Sequence, residues 1–232
     1  MKPIFSVLFL TAIFYNSHAQ QVIDVNQNEH VANAFFSVGG EPVQMAKFVG
    51  LKEGSPYFKE EWLKGSIVLQ NGSTYKNISA RVNLLDNTLH YKDARDREMI
   101  ANVPIREVVL YDEAADVLYR FMNNDLVHAS AKKGWYLWLY TGKASLYKYF
   151  SKTLIEQKPY GSATTEQIIK TKSNYFILYN NTLFQVRQLK EVPQVLANQK
   201  AALQQFIKEK ISPSLPLDEQ MEALLVYYNS LQ

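Results

Sequence analysis

The side chains that could carry out chemistry in this chain are few and lie far apart in the sequence. The four histidines are His18, His30, His90 and His128. No two of them have the short spacing that places a pair of metal ligands on one strand or helix. We therefore expect no metal site and no cofactor. We also expect His90, which alternates with Leu89 and Tyr91 along a strand, to face solvent.

Signals for a hydrolase are weak. The chain has no Gly-x-Ser-x-Gly motif. Ser162 lies in a small-residue loop where a nucleophile could sit, but the sequence identifies no base for it. Carboxylate pairs, which a glycosidase needs, occur only in polar turns beside basic residues, where exposed charge is the ordinary explanation: Glu60–Glu61, Asp93 with Asp96, and Asp112–Glu113. The sequence thus predicts no catalytic residue.

Composition limits the class of protein. The 232 residues are 47% hydrophobic and 20% charged, with a formal charge of +3, which is typical of a globular chain. The densest basic positions, Lys132–Lys133 and Lys170 with Lys172, are too sparse to indicate nucleic-acid binding. The chain has no cysteine, so it has neither disulfides nor a thiolate nucleophile.

The first nineteen residues have the layout of a secretory signal peptide. Met1–Lys2–Pro3 gives a positive start, residues 4–15 are almost entirely apolar, and Ser17–His18–Ala19 places small residues at positions −3 and −1 of a cleavage site before Gln20. A membrane-spanning helix needs about 20 apolar residues, which exceeds this run. We expect export to the periplasm or beyond, cleavage between Ala19 and Gln20, and no transmembrane helix in the mature chain.

Strand signals dominate residues 63–190. Asn71–Gly72 between two apolar runs is a strong hairpin signal. Trp135–Tyr140 is apolar on both faces, which indicates an inner strand. Short strands joined by short turns favour an antiparallel β meander, either an open sheet or a partial barrel. Residues 20–62 form an N-terminal extension that could add a first strand at Val43–Val49.

The hydrophobic period changes to that of a helix in residues 191–232. Apolar stripes recur at helical spacing: Val192, Val195 and Leu196, then Leu203, Phe206, Ile207 and Ile211, then Met221, Leu224, Leu225 and Tyr228. We expect Asp218 to cap the last helix. Short amphipathic helices need tertiary packing, so these helices should lie on the sheet. The predicted fold class is therefore α+β, a mainly antiparallel β meander followed by C-terminal helices packed on it.

Several turn and core patterns resemble those of a group of secreted proteins of Bacteroidota-type bacteria that have no known activity. The similarity lies in short stretches spread over most of the chain: Gly54–Tyr57, Lys64–Leu69 with Asn71–Gly72, Tyr75–Ile78, Ala80–Leu84, Gly142–Tyr147, Leu203–Ile211 and Tyr227–Asn229. The resemblance implies a Gram-negative envelope location and a sheet followed by helices, and it implies no catalytic residue.

Aromatic residues recur along nearly every strand and have two explanations, packing between sheet and helices or a surface that binds a ligand. The favoured hypothesis is an exported, non-enzymatic binding or structural module that uses its β-sheet surface. Its partner would be an envelope protein, a glycan or an apolar ligand. The alternative is a hydrolase of an envelope polymer, which would require two carboxylates, or a serine and a histidine, to converge in a cleft.

Overall fold

A computed structural model describes residues 22–24, 40–42, 51–158, 160 and 165–231. The predicted signal peptide and cleavage site at Ala19 and Gln20, the strand expected at Val43–Val49, and Ser162 lie outside the described residues. The strands are β1 (Val22–Asp24), β2 (Gly40–Pro42), β3 (Leu51–Glu53), β4 (Leu63–Leu69), β5 (Thr74–Asn83), β6 (Thr88–Lys92), β7 (Glu98–Ala101), β8 (Ile105–Asp112), β9 (Val117–Asn123), β10 (Trp135–Tyr140), β11 (Ala144–Gln157), β12 (Glu166–Tyr179) and β13 (Thr182–Val186). The helices are α1 (Asn124–Val127), α2 (Val192–Val195), α3 (Lys200–Lys210) and α4 (Leu217–Ser230).

These strands form one open sheet. Its order is β13-β12-β11-β10-β9-β8-β4-β5-β6-β7-β2, and each neighbouring pair along this path is antiparallel. β1 pairs in parallel with β5, and β3 pairs in parallel with β12. The predicted α+β class, a mainly antiparallel sheet with C-terminal helices, is confirmed.

The predicted hairpin joins β4 to β5. Gly72 adopts a φ of 88°, and Asn71 accepts a hydrogen bond from the backbone N–H of Ser73. β5 is longer than the sequence pattern indicated, because residues 74–83 form one strand that continues past an irregularity at Asn77, where φ is 58°.

The fold has one apolar cluster on β4–β10 and a second beneath the helices. Residues of β4–β10, including Ile67, Phe121 and Leu137, form the first cluster. The second joins β11–β13 to the helices, with Met221 and Leu224 of α4 fully buried. The prediction that the helices pack on the sheet is confirmed.

The predicted cap at Asp218 is wrong. α4 begins after Pro216 without a side-chain cap. The Asp218 carboxylate instead accepts hydrogen bonds from Lys148 on β11, at 2.6 and 2.9 Å, and from the hydroxyl of Tyr175 on β12. It therefore ties the first turn of α4 to the sheet.

Candidate binding face of the sheet

A polar cluster on β5, β6 and β7 contains the histidine expected to face solvent. His90 is only 5% exposed, so that expectation is wrong. Its Nδ1 lies 2.6 Å from Oε1 of Glu98, and the ring packs edge-on against Tyr57. The alternation along β6 does direct His90 away from the core, but the segment that precedes β4 covers it.

Glu98 is the acceptor at the centre of this cluster. Arg81 donates to its Oε1 at 2.8 Å and Tyr57 donates at 3.1 Å. Burial by itself raises the pKa of Glu98, but the hydrogen bonds from Arg81 and His90 and the charge of Arg81 outweigh it, so that the pKa lies below its ordinary value. Burial raises the pKa of Tyr57 to about 12. Glu98 thus stays ionised and Tyr57 protonated, which suits a structural network better than proton transfer.

Arg81 contacts two aromatic rings. Its guanidinium carbon lies 3.6 Å from the ring centroid of Tyr57 and 4.4 Å from that of Trp62. It also donates to the backbone oxygen of Glu60 at 3.3 Å. Since Arg81 contacts Tyr57, Glu60 and Trp62, this one side chain fixes the whole segment that leads into β4.

Trp62 lies on the face of the sheet that points away from the apolar core, which we call the outer face. Leu63, the next residue, is buried and pairs with Ala80, so alternation places Trp62 beside Arg81 on the opposite face. The amine of Lys92 lies 5.4 Å from the same indole. Arg81 and Lys92 project from neighbouring strands on the same face of the sheet, and both contact the Trp62 ring there.

A cleft of about 420 Å³ opens beside Trp62, between the segment before β4 and the β8–β9 turn. Its lining combines two aromatic rings with charged side chains and turn backbone: Lys59, Glu61, Trp62, Leu63, Lys64, Tyr111, Asp112, Glu113, Ala114 and Ala115. Asp112 was expected to be an exposed charge, and this is wrong. It is 6% exposed and forms an ion pair with Lys59. The hydrogen bond from Lys59 and the backbone hydrogen bonds of the turn together lower the pKa of Asp112.

The outer face continues from the cleft across β8 and β9 as a largely uncovered apolar strip. Tyr111 pairs directly with Leu118, and they are 40% and 61% exposed. Val109, two residues before Tyr111 on the same face, is partly exposed. An uncovered sheet face that carries large apolar side chains is typical of an interaction site.

A second tryptophan lies beyond this strip on β10. The guanidinium carbon of Arg120 is 4.1 Å from the ring centroid of Trp138. Glu107 fixes Arg120 through two hydrogen bonds of 2.7 and 3.0 Å. Trp138 therefore repeats the arrangement at Trp62, an outer-face indole that contacts an arginine held by a glutamate.

Residues 124–134, which we call the strap, pack over the outer face of β10–β12. Tyr149 donates to the backbone oxygen of Lys133 at 3.2 Å, and His128 Nε2 lies 3.1 Å from the backbone oxygen of Asn181. Beneath the strap, Tyr136 and Phe176 are buried in an apolar cluster. Aromatic residues of the outer face thus divide into those that the strap buries and those that remain open near β8 and β9.

The hydrolase alternative requires two carboxylates, or a serine and a histidine, to converge in a cleft. The cleft beside Trp62 does hold three carboxylates, but Asp112 is paired with Lys59 and Glu113 lies 3.7 Å from Lys64, which leaves Glu61 without a second free carboxylate there. Ser130 Oγ lies 2.8 Å from His128 Nδ1, but the two residues belong to one turn, the backbone N–H of Ser130 also contacts Nδ1 at 3.1 Å, and neither residue lines the cleft. Glu60 and Asp93 contact Arg81 and Arg97 rather than a second carboxylate.

A further groove lies on the helical layer, where Phe206 stacks on Tyr227 with ring centroids 4.1 Å apart.

Within the described ranges, no cluster of three or more histidine or acidic side chains could hold a metal ion. No helix among those residues is both long and apolar enough to cross a bilayer.

Comparison of the chain with protein-family models, with curated proteins and with solved structures gave no match.

Proposed function

We propose that this chain is an exported, non-enzymatic binding module of a Gram-negative envelope that engages its partner through the outer face of its sheet. The observation that carries the proposal is the pair of arginine-held tryptophans, Trp62 and Trp138, on the same face as the exposed Tyr111 and Leu118. Tyrosine, tryptophan and arginine are the residues enriched at the energetic centres of interfaces. Export rests on the first nineteen residues, whose sequence is typical of a signal peptide.

The position of the helices supports the outer face, rather than the opposite face, as the binding surface. They cover the other side of β11–β13 and bury the apolar side chains there. The polar groups near the open part of the outer face are paired with one another, as in Arg120 with Glu107 and Arg81 with Glu98. A partner that covers this face would therefore leave few charges unpaired, which keeps the desolvation cost low.

The experiment captures envelope components on immobilised protein that starts at Gln20. Tyr111→Ser combined with Leu118→Lys should abolish the capture of any component that the unaltered protein retains, because both changes place polar groups in the strip. Leu215→Lys is the matched control, since Leu215 is also exposed, at 39%, but precedes α4. If the double variant retains the same components as the control, or if the protein degrades an envelope polymer, the proposal is wrong.

A further inference from the structure

We infer that the cleft beside Trp62 binds a neutral carbohydrate, with one sugar ring lying against the indole. This inference rests on the proposed function, because the cleft opens on the outer face and shares Tyr111 with the exposed strip. It names the class of partner that the proposed function leaves open.

The aromatic wall supplies a flat apolar surface that is only partly covered. Arg81 and Lys92 contact the Trp62 ring, at 4.4 and 5.4 Å from its centroid. Trp62 is partly exposed and lines the cleft. The C–H face of a sugar ring can pack on such an indole, while the hydroxyls at the ring edge remain free to form hydrogen bonds.

The charged residues around the cleft argue against the other ligand classes. A hydrocarbon would remove water from Lys59, Asp112 and Glu113 without replacing the hydrogen bonds to water. An anionic ligand would meet three carboxylates, from Glu61, Asp112 and Glu113, against two lysines. A neutral polyol matches both donors and acceptors, since each hydroxyl can donate to a carboxylate and accept from an amine.

The cleft is preorganised on both sides. Arg81 fixes Trp62, and Glu98 in turn fixes Arg81. On the opposite wall, Oδ1 of Asp112 accepts the backbone N–H groups of Ala114 and Ala115, each at 3.1 Å, so the β8–β9 turn is held in place. A ligand therefore orders few side chains when it binds, which favours affinity for a small ring.

The test follows the indole N–H resonances of Trp62, Trp135 and Trp138 by NMR while neutral oligosaccharides are added. The probes are cellotetraose, mannotetraose, chitotetraose and maltotetraose, each up to about 10 mM, tenfold above a Kd of about 1 mM. At least one probe should shift the Trp62 resonance and leave that of the buried Trp135 unchanged. Trp62→Phe assigns the Trp62 peak by its loss.

Variants then locate the site. Trp62→Ala and Trp62→Phe both lack the Trp62 indole, so their binding is measured from the backbone amide shifts of the cleft residues. Trp62→Ala should weaken binding about tenfold or more, and Trp62→Phe should weaken it less because a ring is retained. Tyr227→Ala is the control, because it also removes a partly exposed ring but lies on the helical layer. Unchanged melting temperature and backbone spectra would show that Trp62→Ala still folds.

The inference fails if none of the four probes shifts the Trp62 resonance, if Trp62→Ala binds as tightly as the parent, or if tetragalacturonate binds more tightly than every neutral probe. The proposed function has a separate readout. If no oligosaccharide binds but Tyr111→Ser with Leu118→Lys still abolishes capture of an envelope protein, the carbohydrate inference is wrong and the binding face stands. If both experiments fail, both are wrong.

Discussion

Asp218→Ala should loosen the helical layer from the sheet. The Asp218 carboxylate accepts from Lys148 at 2.6 and 2.9 Å and from the hydroxyl of Tyr175. The Lys148 side chain is only 15% exposed, so removal of the carboxylate leaves an ammonium group with little water and no counterion. The Tyr175 hydroxyl loses its acceptor in the same change.

The size of the effect follows from these contacts. A hydrogen bond to a charged group contributes about 1.5–3 kcal/mol, and removal of one partner of a fully buried ion pair costs about 3–5 kcal/mol. The Asp218 side chain is 36% exposed, so solvent screens the pair and the lower range applies. We expect the free energy of unfolding to fall by about 2–3 kcal/mol, which lowers Tm by about 4–12 °C for a chain of this length.

Chemical and thermal unfolding of the protein that starts at Gln20 measure this loss. Asp218→Asn is the informative control, because it keeps an acceptor for Tyr175 but removes the charge, and it should lose less than Asp218→Ala. Lys148→Met should cost less in the Asp218→Ala background than in the parent, since the two side chains are coupled. Additive costs in that cycle, or an Asp218→Ala variant that melts like the parent, would refute the reasoning.

Two more changes probe the polar cluster around Glu98 and the contact between α4 and the sheet. The pKa of Glu98 is lowered in the folded state, so its contribution to stability is present above its ordinary value of 4.5 and is lost as pH falls through the lower folded pKa. Glu98→Gln should therefore have a lower free energy of unfolding than the parent at pH 7. Urea titrations at a series of pH values should show this difference in free energy shrinking below about pH 4.5. A constant difference down to about pH 3 would contradict the ion pair with Arg81. Gly142→Ala should lower the free energy of unfolding by about 1–3 kcal/mol, because the added Cβ would collide with Oδ1 of Asn229 on α4. If the variant melts at the same temperature as the parent, Asn229 moves aside without loss of stability and the prediction is wrong.

The elements with a strong hydrophobic period could be predicted from the sequence. Trp135–Tyr140 was expected to be an inner strand, and β10 lies between β9 and β11. The distal half of β11, residues 151–157, is mostly polar and has no apolar period that would predict a strand. β7 is short and follows a polar turn, so that Met99 alone could not reveal it, although this side chain is buried. Periodicity detects burial, and the distal half of β11 is held by backbone pairing with β12 rather than by burial.

The polar cluster could not be predicted because its members come from separate strands. Tyr57, Arg81, His90 and Glu98 have no fixed spacing, and only the pairing of β5, β6 and β7 brings them together. The error at His90 has the same origin. Alternation gives the face on which a side chain lies, but it does not reveal which distant segment covers that face. The one local signal was Arg81, a long cation between the buried residues Ala80 and Val82.

The repeated arrangement of tryptophan, arginine and glutamate is difficult to explain by stability alone. An exposed cation–π contact contributes about 0.5–1 kcal/mol, and burial of either indole under a loop would contribute more through apolar area. The strap does bury Tyr136 and Phe176 in this way a few residues from Trp138. The chain therefore has the means to cover its outer face, and it covers only the half near β11 and β12. On the open half it holds Trp62 in a fixed orientation against Arg81, and at the border it holds Trp138 against Arg120 and the apolar cluster beneath the strap. Aromatic side chains that are already fixed lower the entropic cost of binding a partner there.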